Sequence, residues 1–137
     1  MQIPQLDRSN YLKGLLITAR KDEQLTYSEK NMIRKLSERL GFSVDFFEET
    51  INNLLENKYI KDDPIVFSEQ NIAKSFIEDG LRLSLVDETV SIDELNWLKQ
   101  TANANDIEEK WVDERLKELK TKPHLLGRMD FALYSLI

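Results

Sequence analysis

A short acidic pattern occurs twice in this chain, and it constrains the fold more than any other feature of the sequence. The first copy runs from Asp22 to Glu29 and the second from Asp87 to Glu94. Both copies read acid, acid, polar, aliphatic, hydroxyl, apolar, polar, glutamate, and they lie 65 positions apart. A pattern repeated at this distance predicts a supersecondary unit that the chain forms twice.

Apolar residues outside the acidic pattern also match when the chain is aligned with itself at the same offset. The matched pairs include Tyr11 and Phe76, Leu12 and Ile77, Ile33 and Leu98, Phe46 and Trp111, Phe47 and Val112, and Ile51 and Leu116. Leu36 and Leu40 align instead with Thr101 and Asn105, which indicates that the two copies have diverged. We therefore expect two similar three-helix units that share one core.

The composition favours helices over strands. The chain has 137 residues, four glycines and three prolines, and apolar residues recur at helical spacing in most segments. The prediction is a single all-α domain over residues 1–137 with about seven helices. The repeat units span about 10–57 and about 75–120, and an apolar C-terminal helix covers about 124–136.

Hydroxyl residues and one glycine predict where several helices begin and end. Thr26 and Ser91 each precede a glutamate by three positions, as the first residue of a capping box does. Ser43 and Ser68 are expected to cap two further helices. Gly41 lies where a helix end prefers a left-handed residue.

Two further segments allow narrower predictions. The stretch from Ile65 to Phe67 is either a short strand or an extended segment packed on the core. Gly80 interrupts an apolar helical pattern and therefore indicates close helix packing.

The acids of the repeated pattern suggest a cation site, but their spacing does not match a standard calcium loop. When Glu29 or Glu94 is placed at the last loop position, only Asp22 or Asp87 falls on a position that such a loop fills with an acid. The simpler interpretation is that the glutamates complete helix caps and the remaining acids face solvent. A divalent cation held by these four residues remains the alternative.

The repeated corner resembles the TerB-like domains, a family associated with tellurite resistance. The resemblance rests on an aliphatic helix followed by Asp, an acid, an aliphatic residue, Ser or Thr and then Glu, found twice over about residues 10–120. It implies an all-α fold of about seven helices, a link to stress response, contacts with other proteins and, in some members, a divalent metal. Its acidic cluster would correspond to Asp22, Glu29, Asp87 and Glu94. The usual Asp-Gly of the family is Asp-Glu at both corners here, which argues against a metal bound by the loop backbone.

A winged-helix DNA-binding protein is the second alternative. Residues 35–60 read as helix, turn and helix, and Asp62-Asp63-Pro64 could open a wing. The helix that would read bases begins with Asp45 and continues into Glu48 and Glu49, whose charges repel phosphate. The net charge of −6 also disfavours nucleic acid and anionic lipid as partners.

The remaining predictions concern activity, partners and location. The chain has no cysteine, no glycine-rich phosphate loop and one histidine, His124, so we expect a protein that is not an enzyme and has no cofactor. We expect a protein partner, with a homodimer as an open alternative. Without a signal peptide or a run of about 18 apolar residues, we expect no membrane span and a cytoplasmic location.

Overall fold

The computed structural model is all-helical over the residues it describes, which are 2–21, 26–56, 62–87, 91–121 and 131–137. Six α-helices lie in these ranges: α1 Gln5–Arg20, α2 Tyr27–Arg39, α3 Val44–Glu56, α4 Gln70–Ser84, α5 Ile92–Ala104 and α6 Glu109–Thr121. Short 3₁₀ turns cover Leu85–Asp87 and Ala132–Ser135. The predicted all-α class is confirmed, and the count of α-helices in the described ranges is six rather than the predicted seven.

Helices α1 and α4 form the centre of the fold. Both are apolar on more than one side, since Leu15, Leu16 and Ile17 of α1 and Ile72, Ala73, Phe76 and Ile77 of α4 are all buried. A helix with this pattern must be covered on several sides. Helix α1 packs against α4 and also contacts α2, α3 and α5, and α4 contacts α5, α6 and the C-terminal turn. None of the helices in the described ranges has the length and apolarity needed to cross a membrane.

Several predicted helix boundaries are confirmed. The Glu29 backbone N–H donates to Thr26 Oγ1 at 3.2 Å, and the Phe46 N–H donates to Ser43 Oγ at 3.1 Å. Both bonds of a capping box are present at Ser91. A hydroxyl side chain thus caps the start of α2, α3 and α5, as predicted.

The ends of α2 and α5 have the same backbone geometry. After α2, Gly41 has φ of 94°, and the N–H groups of Gly41 and Phe42 donate to the carbonyls of Glu38 and Ser37. After α5, Asp106 has φ of 59° and the same two bonds recur at residues 65 positions later. These paired bonds are the Schellman motif, in which a left-handed residue closes a helix. They support the repeat hypothesis locally, and the correspondence of the complete units stays a prediction.

The stretch from Ile65 to Phe67 is extended but is not part of a sheet. Ile65 and Phe67 are buried and Val66 is exposed, as an extended backbone requires. Asn105 takes the place of a neighbouring strand, because its Nδ2 donates to the Ile65 carbonyl at 2.7 Å and its Oδ1 accepts from the Phe67 N–H at 2.8 Å. The residue that replaces Leu40 in the second copy thus fixes this segment to α5.

The prediction that Ser68 caps α4 was wrong. The residue before α4 is Glu69, which makes no side-chain capping bond. Ser68 binds the buried carboxylate of Asp7 instead, through its backbone N–H at 3.0 Å and through its hydroxyl. A tertiary contact with α1 has therefore replaced the local cap.

The C-terminal segment belongs to the core, but its described part is not the predicted α-helix. Residues 122–130, including His124, lie outside the described residues. Ala132–Ser135 form one 3₁₀ turn, with Phe131 and Leu133 buried among the core side chains. A polar anchor on α4, described below, holds this turn.

We predict that Gly14→Ala destabilises the fold more than Gly80→Ala. A Cβ at Gly14 would lie 2.5 Å from the Phe76 ring, whereas a Cβ at Gly80 would lie 2.8 Å from one terminal methyl of Leu98. A rigid buried ring cannot yield as a leucine methyl can, so Gly14→Ala should cost about 1–3 kcal/mol of unfolding free energy. The unfolding free energy of Gly80→Ala should lie within about 1 kcal/mol of the wild-type value, because the higher helix propensity of alanine offsets the close contact with Leu98.

Urea unfolding of both variants measures this difference, with Ser9→Ala on the exposed side of α1 as control. Equal stability of the two glycine variants would contradict the close approach of α1 to Phe76.

Candidate functional site

Of the four predicted cation ligands, the structure describes the side chains of two, Glu29 and Glu94. Asp22 lies outside the described residues, and Asp87 is described only in its backbone, as the last residue of a 3₁₀ turn. Glu29 and Glu94 are the third residues of α2 and α5, and they are 3% and 2% exposed. They are therefore buried at helix starts rather than presented to solvent.

Glu94 joins two helices. Its Oε1 accepts from the Ser91 N–H at 3.3 Å, and its Oε2 lies 2.8 Å from Ser84 Oγ at the end of α4. The carboxylate thus links the beginning of α5 to the end of α4. In the described part of the chain, no three His, Cys, Asp or Glu side chains lie close enough to share a metal ion. The metal site at Asp22, Glu29, Asp87 and Glu94 stays a prediction.

A polar cleft lies between the end of α1 and the first turns of α5. It has a volume of about 420 Å³ and is lined by Lys21, Asp62, Asp93, Asn96, Trp97 and Gln100. Lys21 directly precedes the first acidic pattern, and Asp93 belongs to the second. Asp62 is neutralised by ion pairs with Arg20 and with Lys21, the latter at 2.7 Å. Of the two carboxylates that line the cleft, Asp62 is thus already held by two cations.

The most unusual polar group in the described core is one that the sequence analysis missed. Asp79 is fully buried on α4, and its Oδ2 accepts from the Tyr11 hydroxyl of α1 at 2.5 Å. The Tyr11 hydroxyl also lies 2.9 Å from Ser75 Oγ. Asp79 further accepts from the backbone N–H groups of Ala132 at 2.7 Å and Leu133 at 3.1 Å. One carboxyl group thus joins α1, α4 and the C-terminal turn.

Burial shifts the ionisation of this cluster. It raises the pKa of Asp79 from 3.8 to about 6, although the bonds from Tyr11, Ala132 and Leu133 and the positive charge of Arg82 oppose the shift. Burial, followed by the nearby Asp79 charge, also raises the pKa of Tyr11 well above its usual value. Since Tyr11 and Asp79 are both 0% exposed, no substrate can reach them, and the cluster acts as a structural clamp.

A sequence signal for this clamp existed. Ser75 and Asp79 are four positions apart on α4, and they interrupt its otherwise apolar buried side. Residues at this spacing face the same direction, so the pair should have indicated a buried polar contact.

Helix α3 presents a contrasting surface that is acidic and aromatic. Asp45, Phe46 and Glu49 are exposed on its outer side, and Phe46 is 44% exposed. The Phe46 ring stacks on Phe42 with centroids 4.9 Å apart. We call Phe42, Asp45, Phe46 and Glu49 the α3 face. Two acids stand where a DNA-reading helix would need basic residues.

The basic residues of α2 do not form the uniformly solvated surface that their number suggests. Lys30 makes an ion pair with Glu48 of α3 at 3.2 Å, and Arg34 donates to Asn31 at 2.6 Å. The Arg39 guanidinium lies over the Tyr134 ring, 4.9 Å from its centroid. Two of these three cations therefore contact another element of the fold.

Comparison with known proteins does not suggest a function, so the proposal below is argued from the structure and the sequence. No protein-family model, no curated protein and no solved structure matches the chain.

We predict that proton binding at Asp79 stabilises the fold increasingly as the pH falls from 7.5 to 4.5. The folded protein binds a proton at Asp79 more tightly than the unfolded chain, because its folded pKa of about 6 exceeds the ordinary 3.8. This contribution to stability is fully present below about pH 4 and is lost as the pH rises through 6. The unfolding free energy of the wild type relative to Asp79→Asn should increase by about 2 kcal/mol over this range.

Urea unfolding of both proteins at pH 7.5, 6.0 and 4.5 measures the effect, and taking the difference cancels the titration of the other carboxylates. Thr50→Ala, on the surface of α3, is the control, since the difference between its unfolding free energy and that of the wild type should not change with pH. A difference for Asp79→Asn that is independent of pH would show that the carboxyl is not protonated in the folded state.

Proposed function

We propose that the chain is a non-enzymatic protein-interaction domain of the TerB-like kind, and that the α3 face binds a basic, partly apolar segment of another protein. The observation that carries this proposal is the stacked Phe42–Phe46 pair, exposed beside two carboxylates. The resemblance of the repeated corners to TerB-like domains supports an interaction role in stress or tellurite resistance.

The aromatic pair gives the face its apolar area. Phe42 is half-buried against the core, so it fixes the position of the Phe46 ring. A ring held in this way loses little conformational freedom when a partner covers it. Aromatic side chains of this kind contribute strongly to protein interfaces.

The charges of the face select the partner. Helix α3 contains four acids and no lysine, arginine or histidine. Glu48 is paired with Lys30, but Asp45 and Glu49 make no ion pair with any residue in the described ranges. A basic partner would be attracted to them, and a second copy of the same face would be repelled. We therefore favour a different protein over a homodimer.

A divalent cation at the acidic corners is less well supported. Glu94 already accepts hydrogen bonds from Ser91 and Ser84, so binding a metal would require these contacts to break. The α3 face needs no such rearrangement.

We predict that a basic amphipathic peptide binds the α3 face and that Phe46→Ala weakens this binding by about tenfold. The probe is a fluorescein-labelled 14-residue helical peptide with leucines on one side and lysines on the other. Its glutamate counterpart should not bind. Fluorescence anisotropy gives the affinities, and raising the salt concentration from 0.05 to 0.5 M should weaken binding because it screens the exposed charges.

Matched variants distinguish the α3 face from general attraction to an acidic protein. Glu49→Gln should weaken binding about threefold, whereas Glu109→Gln on α6 makes the same change of net charge and should leave it unchanged. Val66→Ala removes an exposed apolar side chain elsewhere and is the control for Phe46→Ala. Equal losses for Glu49→Gln and Glu109→Gln, or for Phe46→Ala and Val66→Ala, would refute binding at α3.

A further inference from the structure

We propose that a cavity formed by the beginning of α1, the end of α2 and the C-terminal segment binds a small organic anion with a phosphate or carboxylate head group and a short apolar body. The cavity has a volume of about 380 Å³ and is lined by Gln2, Ile3, Arg8, Arg39, Leu40 and Ile137. It is separate from the α3 face, and the proposal does not depend on the proposed protein partner.

Arg8 is fixed in place by uncharged groups. Its Nε donates to the Ile3 carbonyl at 2.8 Å, which leaves both terminal nitrogens of the guanidinium available. Its Nη1 lies over the backbone of Gly41, 3.5 Å from the point that a Cβ would occupy there. The guanidinium therefore lies within van der Waals distance of the end of α2.

Arg39 is held in a comparable way. Its guanidinium lies 4.9 Å from the centre of the Tyr134 ring, in the range of a cation–π contact. This contact orients the group without neutralising it. The C-terminal turn that carries Tyr134 is itself anchored to α4 through Asp79.

Of the six arginines in the described ranges, three make ion pairs, and Arg8, Arg34 and Arg39 do not. Arg20, Arg82 and Arg115 each pair with at least one carboxylate. Arg8 and Arg39 pair with no carboxylate among the described residues, although acids outnumber bases in the chain by 25 to 19. Two guanidinium groups that line one cavity and make no ion pair favour the binding of an anion there. Cations that already pair with a carboxylate favour it less.

The chemistry of the walls defines the class of ligand. Guanidinium groups bind phosphate and carboxylate oxygens through two parallel hydrogen bonds. Ile3, Leu40 and Ile137 provide an apolar wall beside them. The volume is near the lower limit for small-molecule sites, so the ligand is a compact molecule rather than a nucleotide or a lipid.

Isothermal titration calorimetry with phenyl phosphate, benzoate and inorganic phosphate tests the proposal at an ionic strength held constant with sodium chloride. We expect saturable binding of phenyl phosphate or benzoate, and weaker binding of inorganic phosphate because it lacks the apolar body. The tighter of the two aromatic probes identifies the head group.

Arg39→Gln should reduce the affinity of the better probe by about tenfold, whereas Arg34→Gln removes the same charge from the same helix and should leave it unchanged. Arg8→Gln should also weaken binding, and its melting temperature without ligand reports any loss of fold. If none of the three probes shows saturable binding at ligand concentrations up to about 10 mM, the proposal is overturned. Inorganic phosphate binding as tightly as phenyl phosphate, or equal losses in Arg34→Gln and Arg39→Gln, would also overturn it.

Discussion

The buried carboxyl of Asp79 is the interaction on which the arrangement of this fold depends. It lies on α4, and its two oxygens bind α1 through Tyr11 and the C-terminal turn through two backbone N–H groups. A buried acid without partners would be strongly destabilising, so these elements must stay in place around it. The Arg8–Arg39 cavity depends on the same anchor, because Tyr134 lies on the turn that Asp79 holds.

Polar side chains also replace backbone pairing in the extended stretch from Ile65 to Phe67, before α4. An isolated extended stretch would leave its N–H and C=O groups without partners, and here Asn105 binds one of each. Asp7 binds the Ser68 backbone where the stretch ends. Side chains from α1 and from the end of α5 thus hold this extended stretch in the place of a second strand.

Local features of this fold could be predicted from the sequence, and distant polar contacts could not. The caps at Thr26, Ser43 and Ser91 and the left-handed Gly41 were predicted correctly because each depends on residues within a few positions. Ser68 was assigned wrongly because its partner, Asp7, lies 61 positions away. A sequence pattern alone does not show which distant carboxylate a hydroxyl will meet.

The same distinction applies to the sites. The repeated acids suggested a ligand site, but the structure shows that Glu94 links α4 to α5. Ser75 and Asp79 could be detected in the sequence, because they interrupt the apolar side of α4. Their partners on α1 and at the C-terminus could not. The Arg8–Arg39 cavity also required the fold, because its two arginines lie on different helices and 31 positions apart.

The proposed repeat pairs two aromatic positions whose surroundings differ in charge. At an offset of 65, Phe46 corresponds to Trp111 and Asp45 to Lys110, so the outer side of α6 loses one of the acids that α3 presents. Trp111 is half-buried, and Lys74 lies 5.7 Å from the centre of its ring. A cation thus lies over Trp111, whereas Phe46 is partly exposed beside two acids. The basic partner that we propose would bring a cation to Phe46, as Lys74 is brought to Trp111.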